Sequence, residues 1–191
     1  MRQRVITFYY ILADFLSAAL AWTLFYYYRK TQIDSLKTGN VPEYIFDSRF
    51  YLSVTILPII WVLVYYLSGY YNHVLRKSRI NEFVQVLATS IIGVTVLFFV
   101  LLLDDSVVSY RLYYKLYFVL FAAHFMITAL LRLILSTNTN SKIHKREFGF
   151  TTIIIGSNER ALKMFREINA LKYGIGNNFI GFIHIEGKNG Y

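Results

Sequence analysis

Three groups of residues in this 191-residue sequence have types and spacing that could do chemistry. Asp14, His124 and Arg132 are ionisable side chains set inside long apolar runs. A carboxylate, an imidazole and a guanidinium in hydrocarbon either relay a proton or ion or pair to fix helix contacts. Gly156, Ser157 and Asn158 stand between a β-branched run and a helical pattern, where backbone N–H groups and the helix dipole favour a phosphate. Asp104-Asp105 is the only adjacent acidic pair. With no cysteine, disulfides, thiolate metal sites and Cys nucleophiles are all excluded.

The elements that must position these groups are set by composition. The chain is 56% hydrophobic, 18% aromatic and only 16% charged, which is too apolar for an ordinary soluble domain and predicts an α-helical membrane protein. Four stretches, 6–28, 50–70, 83–103 and 112–135, are long enough to cross a hydrocarbon core of about 30 Å as helices. The first follows MRQR like a signal peptide, but its apolar run is too long and no A-x-A-like site follows, so it is expected to stay as an anchor. The net charge of +9 does not indicate nucleic acid, because the basic residues flank apolar runs rather than interleaving with exposed aromatics. Arg2, Arg4, Arg76, Lys77, Arg79, Lys142, Lys145 and Arg146 fall on one side of the four spans. Arg29, Lys30, Lys37 and Arg49 fall on the other, diluted by Asp34, Glu43 and Asp47. The bias predicts that both termini are cytoplasmic.

Asp14 lies roughly 12 Å into the first span at about 1.5 Å per residue. A lone carboxylate there costs about 2.5 to 3.5 kcal/mol on insertion scales, so it is expected to face the bundle. The fourth span returns to the same side and brings His124 and Arg132 to similar depth as possible partners. A relay needs ionisable groups across the whole thickness, and the middle two spans as drawn offer none, so a structural pair is the better reading. Pro58 is expected to kink the second span. G-x-x-x-G and TVGYG-like segments are missing from the sequence, which disfavours a channel or transporter. The basic loop "NHVLRKSRINE", 72–82, sets topology and could touch anionic headgroups or a phosphorylated lipid carrier.

After the spans, residues 136–149 read as a basic juxtamembrane linker and 150–191 as a partial Rossmann-like domain. "TTIIIG" has the pattern of a central parallel strand covered on both faces, and Ala161, Leu162, Phe165, Ile168 and Leu171 recur at helical spacing. "NFIGFIHI" is the second strand. The Gly156-Ser157-Asn158 turn is a weak nucleotide site: G-x-G-x-x-G would place glycine where Asn158 and Ala161 stand. A plain turn with Ser157 or Asn158 capping the helix is the alternative. One βαβ unit cannot bury a core unaided, so the tail is expected to be the first part of a larger domain.

The stretches "YYILADFLSAALAWTLFYYYRK", "LSGYYNHVLRKSRINEF", "LLLDDSVVSY", "FGFTTIIIGSNERALKMFREI" and "FIGFIHI" together resemble the N-terminal half of bacterial polyprenyl-phosphate sugar-1-phosphate transferases, the initiating enzymes of exopolysaccharide, capsule and O-antigen synthesis. The resemblance implies a multi-pass protein of the bacterial inner membrane, with four helices leading to a Rossmann-like domain. It also implies a separate catalytic domain that moves a sugar phosphate from a UDP-sugar to undecaprenyl phosphate with an Asp-Glu pair and Mg²⁺. That domain has no counterpart in these residues, and Asp104-Asp105 matches no catalytic motif, so no catalytic residue, cofactor or metal is assigned to this chain and it is expected to be inactive alone. Lipid is the expected partner, with a homo-oligomer possible. Membrane-anchored nucleotide-sugar dehydratases share the opening architecture and are the alternative, as is a non-enzymatic nucleotide-sensing membrane module.

Overall fold

The computed structural model describes residues 2–34, 46–72, 79–102, 110–147, 149–156 and 158–184. Asp104-Asp105, Ser157 and the basic residues Arg76 and Lys77 lie outside them. Four helices are long and apolar enough to cross a membrane: α1 (Arg2–Tyr28, continued by a π-helical turn Arg29–Asp34), α2 (Ser48–Leu67), α3 (Arg79–Leu102) and α4 (Tyr110–His144). A strand β1 (Phe150–Ile155), helix α5 (Glu159–Ala170) and strand β2 (Asn177–Ile183) follow. The chain divides into two compact units, Met1–Leu135 and Ser136–Tyr191, the division falling inside α4.

Local chemistry explains where the helices start and stop. The Asp47 carboxylate caps α2 by accepting from the Phe50 N–H at 3.0 Å. It also accepts from the Tyr26 hydroxyl at 2.6 Å and faces the Lys30 ammonium at 3.4 Å. The Tyr26 hydrogen bond, opposed in part by burial and aided by Phe50 N–H and Lys30, lowers the Asp47 pKa from 3.8 to about 2. A carboxyl whose folded pKa is depressed stabilises the fold above its unfolded pKa and loses that contribution as pH falls through the folded value. Stability in detergent should therefore decline between about pH 4 and pH 2, and Asp47→Asn should flatten that part of the profile, as read by unfolding midpoints at each pH.

Helix α2 runs unbroken across Pro58 and ends where Gly69, at φ +71°, lets Gly69 N–H donate to Tyr66 O and Tyr70 N–H to Tyr65 O. This is a Schellman turn, which needs the left-handed conformation that glycine adopts without strain. Helix α4 passes straight through the polar segment expected to be a linker. No Gly or Pro interrupts it before residue 149, and it closes in a second such turn with Arg146 at φ +60°. The Arg146 guanidinium then donates to the carbonyls of Asn169 and Leu171 at the end of α5.

Inside the first unit each helix turns a stripe of residues inward at four-residue spacing: Leu57, Trp61 and Tyr65 on α2, Glu82, Val86, Ser90 and Val94 on α3, and Leu116, Leu120, His124, Thr128 and Arg132 on α4. Gly93 of α3 faces the Trp61 ring so closely that an added Cβ would overlap it. Gly93→Ala should cost about 1 to 3 kcal/mol by overpacking, measurable as a lowered unfolding midpoint in micelles, whereas Ala at the exposed Val84 of the same helix should not.

In the second unit β1 and β2 pair in parallel, Phe150 opposite Asn177 and Ile155 opposite Ile183, with Ile180 bulged where Thr152 meets Phe179 and Ile153 meets Gly181. Helix α5 lays Ala161, Phe165 and Ile168 inward, with Phe165 edge-on to Phe179 and Phe182 at 5.6 and 5.5 Å. Leu162 and Leu171, expected on that face, are exposed. The strand pattern predicts cover on both faces, but Ile154 is buried while Ile153 and Ile155 are exposed. One helix can cover only one face of this sheet.

Candidate functional site

The ionisable residues of the spans meet inside the bundle. Arg132 of α4 donates through Nε to Asp14 Oδ1 at 2.8 Å and through Nη2 to Asp14 Oδ2 at 2.5 Å, a bidentate fork that matches guanidinium to carboxylate. Both side chains are buried, 2% and 1% exposed, so neither charge is hydrated and each depends on the other. The sequence leaves His124 and Arg132 open as partners for Asp14, and the fold chooses Arg132. His124 bonds instead to the Tyr65 hydroxyl, 2.9 Å from its Nε2, and is stacked under the Trp61 indole at 3.8 Å between centroids.

Three further contacts complete the cluster. Helix α3 begins before the boundary expected from hydropathy, and its first turn carries Glu82 inward to 3.8 Å from Arg132 Nη1. The third span therefore does bring a carboxylate to the site, contrary to the expectation that the middle spans hold no ionisable group. The Schellman turn after α2 swings Tyr70 and Tyr71 back onto the bundle. Tyr71 donates to Asp14 Oδ2 at 2.9 Å, and the Tyr70 ring lies under the Arg132 guanidinium at 4.2 Å while its hydroxyl bonds Gln85 O and Thr89 of α3. The Tyr65 ring lies 5.0 Å from the same guanidinium. Cation–π contacts of this kind gain strength when desolvated, to about 2 kcal/mol.

Below the ion pair the Thr128 hydroxyl donates to Ser17 at 3.2 Å, and Ser17 donates to Asp14 O at 2.8 Å. The ion pair thus meets side chains from all four helices and from the turn after α2. The arrangement ties the helices together as hydrogen-bonded structure. Sequence reasoning missed Glu82, Tyr70, Tyr71 and Thr128. The available signal was the polar recurrence His124, Thr128, Arg132 at four-residue spacing, which marks an inward stripe.

The turn after β1 has a different character. Gly156, at φ +122°, donates its N–H to Ile183 O at 2.8 Å. The Asn158 side chain accepts from Ala161 N–H at 3.0 Å and caps α5. Two backbone or cap positions that a phosphate would approach are therefore occupied within the fold, and Ser157 lies outside the described residues. Comparisons with protein-family models, curated proteins and solved structures find no match to this chain.

Proposed function

We propose that this chain is the membrane-anchoring and regulatory part of a sugar-1-phosphate transferase of the bacterial cytoplasmic membrane, acting between a UDP-sugar and undecaprenyl phosphate. The observation that carries the reading is the order of parts: four spanning helices locked by a matched interior ion pair, then a parallel strand–helix–strand unit. That order is what the sequence resemblance implies. Asp14 and Arg132 are held by each other and by Tyr71, which favours an anchor over an ion relay. In this reading both termini are cytoplasmic, residues 150–191 belong to a Rossmann-like domain, and the acidic pair and Mg²⁺ of catalysis belong to a domain outside these residues.

The test supplies radiolabelled UDP-sugar to membranes of the source cell with and without the gene. Label in undecaprenyl-linked product should fall on deletion and return on restoration. Unchanged label overturns the proposal. A loss confined to a dehydrated nucleotide sugar would instead support the dehydratase.

A further inference from the structure

The strand–helix–strand unit is fastened to the last turn of α4 by backbone and side chains alike, all within residues 136–191. Ile143 is buried there, its Cγ2 close against Gly176. His144 O accepts from Gly174 N–H at 3.0 Å, and the His144 ring centre lies 5.9 Å from that of Tyr173. The Arg146 guanidinium donates to the carbonyls of Asn169 and Leu171 at 3.0 and 2.8 Å. The connection from α5 to β2 is thereby laid along the end of α4. Gly176 O accepts from Phe150 N–H at 2.6 Å, which joins the same connection to the start of β1.

The fit is close at two residues. Gly174 passes so near to α4 that an added Cβ would stand 2.7 Å from Ile143 O and 2.8 Å from Arg146 Cγ, so only a residue without a side chain lets the two backbones meet. Arg146, at φ +60°, is the one non-glycine in the left-handed region among the described residues. A helix end of this kind favours glycine, and a residue with a side chain keeps the conformation where its surroundings hold it. The guanidinium supplies that hold. One of its acceptors, Asn169 O, is among the carbonyls that the end of α5 leaves without a partner in the helix. The stretch expected to be a linker is therefore occupied by helix and by these contacts, with β1 starting at Phe150 soon after α4 ends at His144.

We infer that the end of α4 and the strand–helix–strand unit form one rigid joint latched by Arg146, so that a turn or tilt of this helix end is carried into β1, α5 and β2. The joint is independent of the transferase reading, since it needs only contacts within residues 136–191. The chain has no cysteine, so spin labels attach only where cysteine is introduced. The whole chain in micelles, carrying Ser141→Cys on α4 and Met164→Cys on α5, both exposed positions, is labelled and the distance between labels is measured by pulsed electron paramagnetic resonance. A single narrow distribution is expected. Arg146→Gly suits the left-handed backbone but removes the guanidinium. It should broaden the distribution and speed hydrogen exchange in residues 172–176 on the order of tenfold, the effect of losing a hydrogen bond from a charged donor. Exchange in β1 should stay as it was, which shows that the unit itself remains folded. A broad distribution in the unsubstituted chain means that the unit swivels on α4 and overturns the joint. Width and exchange unaltered by Arg146→Gly overturn the latch. Should exchange in β1 also rise, the same two readings on Arg146→Lys decide, since one ammonium cannot reproduce the guanidinium's reach to both carbonyls.

Discussion

Arg132→Met is expected to destabilise the helix bundle by about 3 to 5 kcal/mol, the cost of stranding a buried charge by removing its partner. The substitution leaves the buried Asp14 carboxylate with Tyr71 as the one side chain donating to it among the described residues, and takes from Glu82 the guanidinium 3.8 Å away. Packing alone does not account for that figure, because Met fills much of the arginine stem's volume. The double variant Asp14→Leu/Arg132→Met should therefore be more stable than Arg132→Met by itself. Apolar residues of similar size commonly replace a buried pair at little net cost. Arg132→Lys should fall between, since an ammonium cannot reproduce the two-pronged contact of Nε and Nη2. Reversible unfolding in mixed micelles measures these chains together with the single variant Asp14→Leu, and additivity of Asp14→Leu and Arg132→Met in the double variant would show that the pair is uncoupled. Hydrogen bonds between membrane helices average about 0.6 kcal/mol, so a coupling above about 2 kcal/mol would set this ion pair apart from an ordinary polar contact.

Trp61→Ala should be the next most costly change, at about 3 kcal/mol, the lower end of the range for deleting a buried Trp or Phe. The ring is 6% exposed, stacks on His124 at 3.8 Å, packs against Tyr65 and closes on Gly93, so its loss frees one imidazole face and opens a void between α2, α3 and α4. The void joins an apolar groove of about 550 Å³ between α2 and α3, lined by Ile56, Ile60, Ile92 and Val96, whose side chains can relax into it, which is why the lower figure is expected. Trp61→Phe should lose about half as much. A Trp61→Ala bundle as stable as the unsubstituted one would mean that the stack and the Gly93 contact add nothing to helix association.

These results separate two kinds of information. Span length and apolarity are one-dimensional properties, so the sequence alone shows four helices able to cross a bilayer and a β–α–β pattern after them. Depth along a helix is also linear, and that is how His124 and Arg132 could both be named as candidate partners of Asp14 before any fold was known. Which way each residue faces is not linear. In a soluble protein the apolar face marks the interior, but lipid is as apolar as the bundle core, so hydropathy does not distinguish inward from outward positions on α1 or α2.

Tertiary structure alone decided that His124 belongs to Tyr65 and Trp61 rather than to Asp14, because that choice depends on rotation about the α4 axis. It likewise brought in Glu82, which sits just ahead of the apolar run by which the third span is recognised. Tyr70 and Tyr71 reached the ion pair only because the turn at Gly69 reverses the chain, a three-dimensional consequence of one left-handed residue. The sequence by itself determined that four segments prefer hydrocarbon to water and that their buried charges need partners. Only packing, by fixing helix rotation and the path of one turn, determined which side chains met those charges.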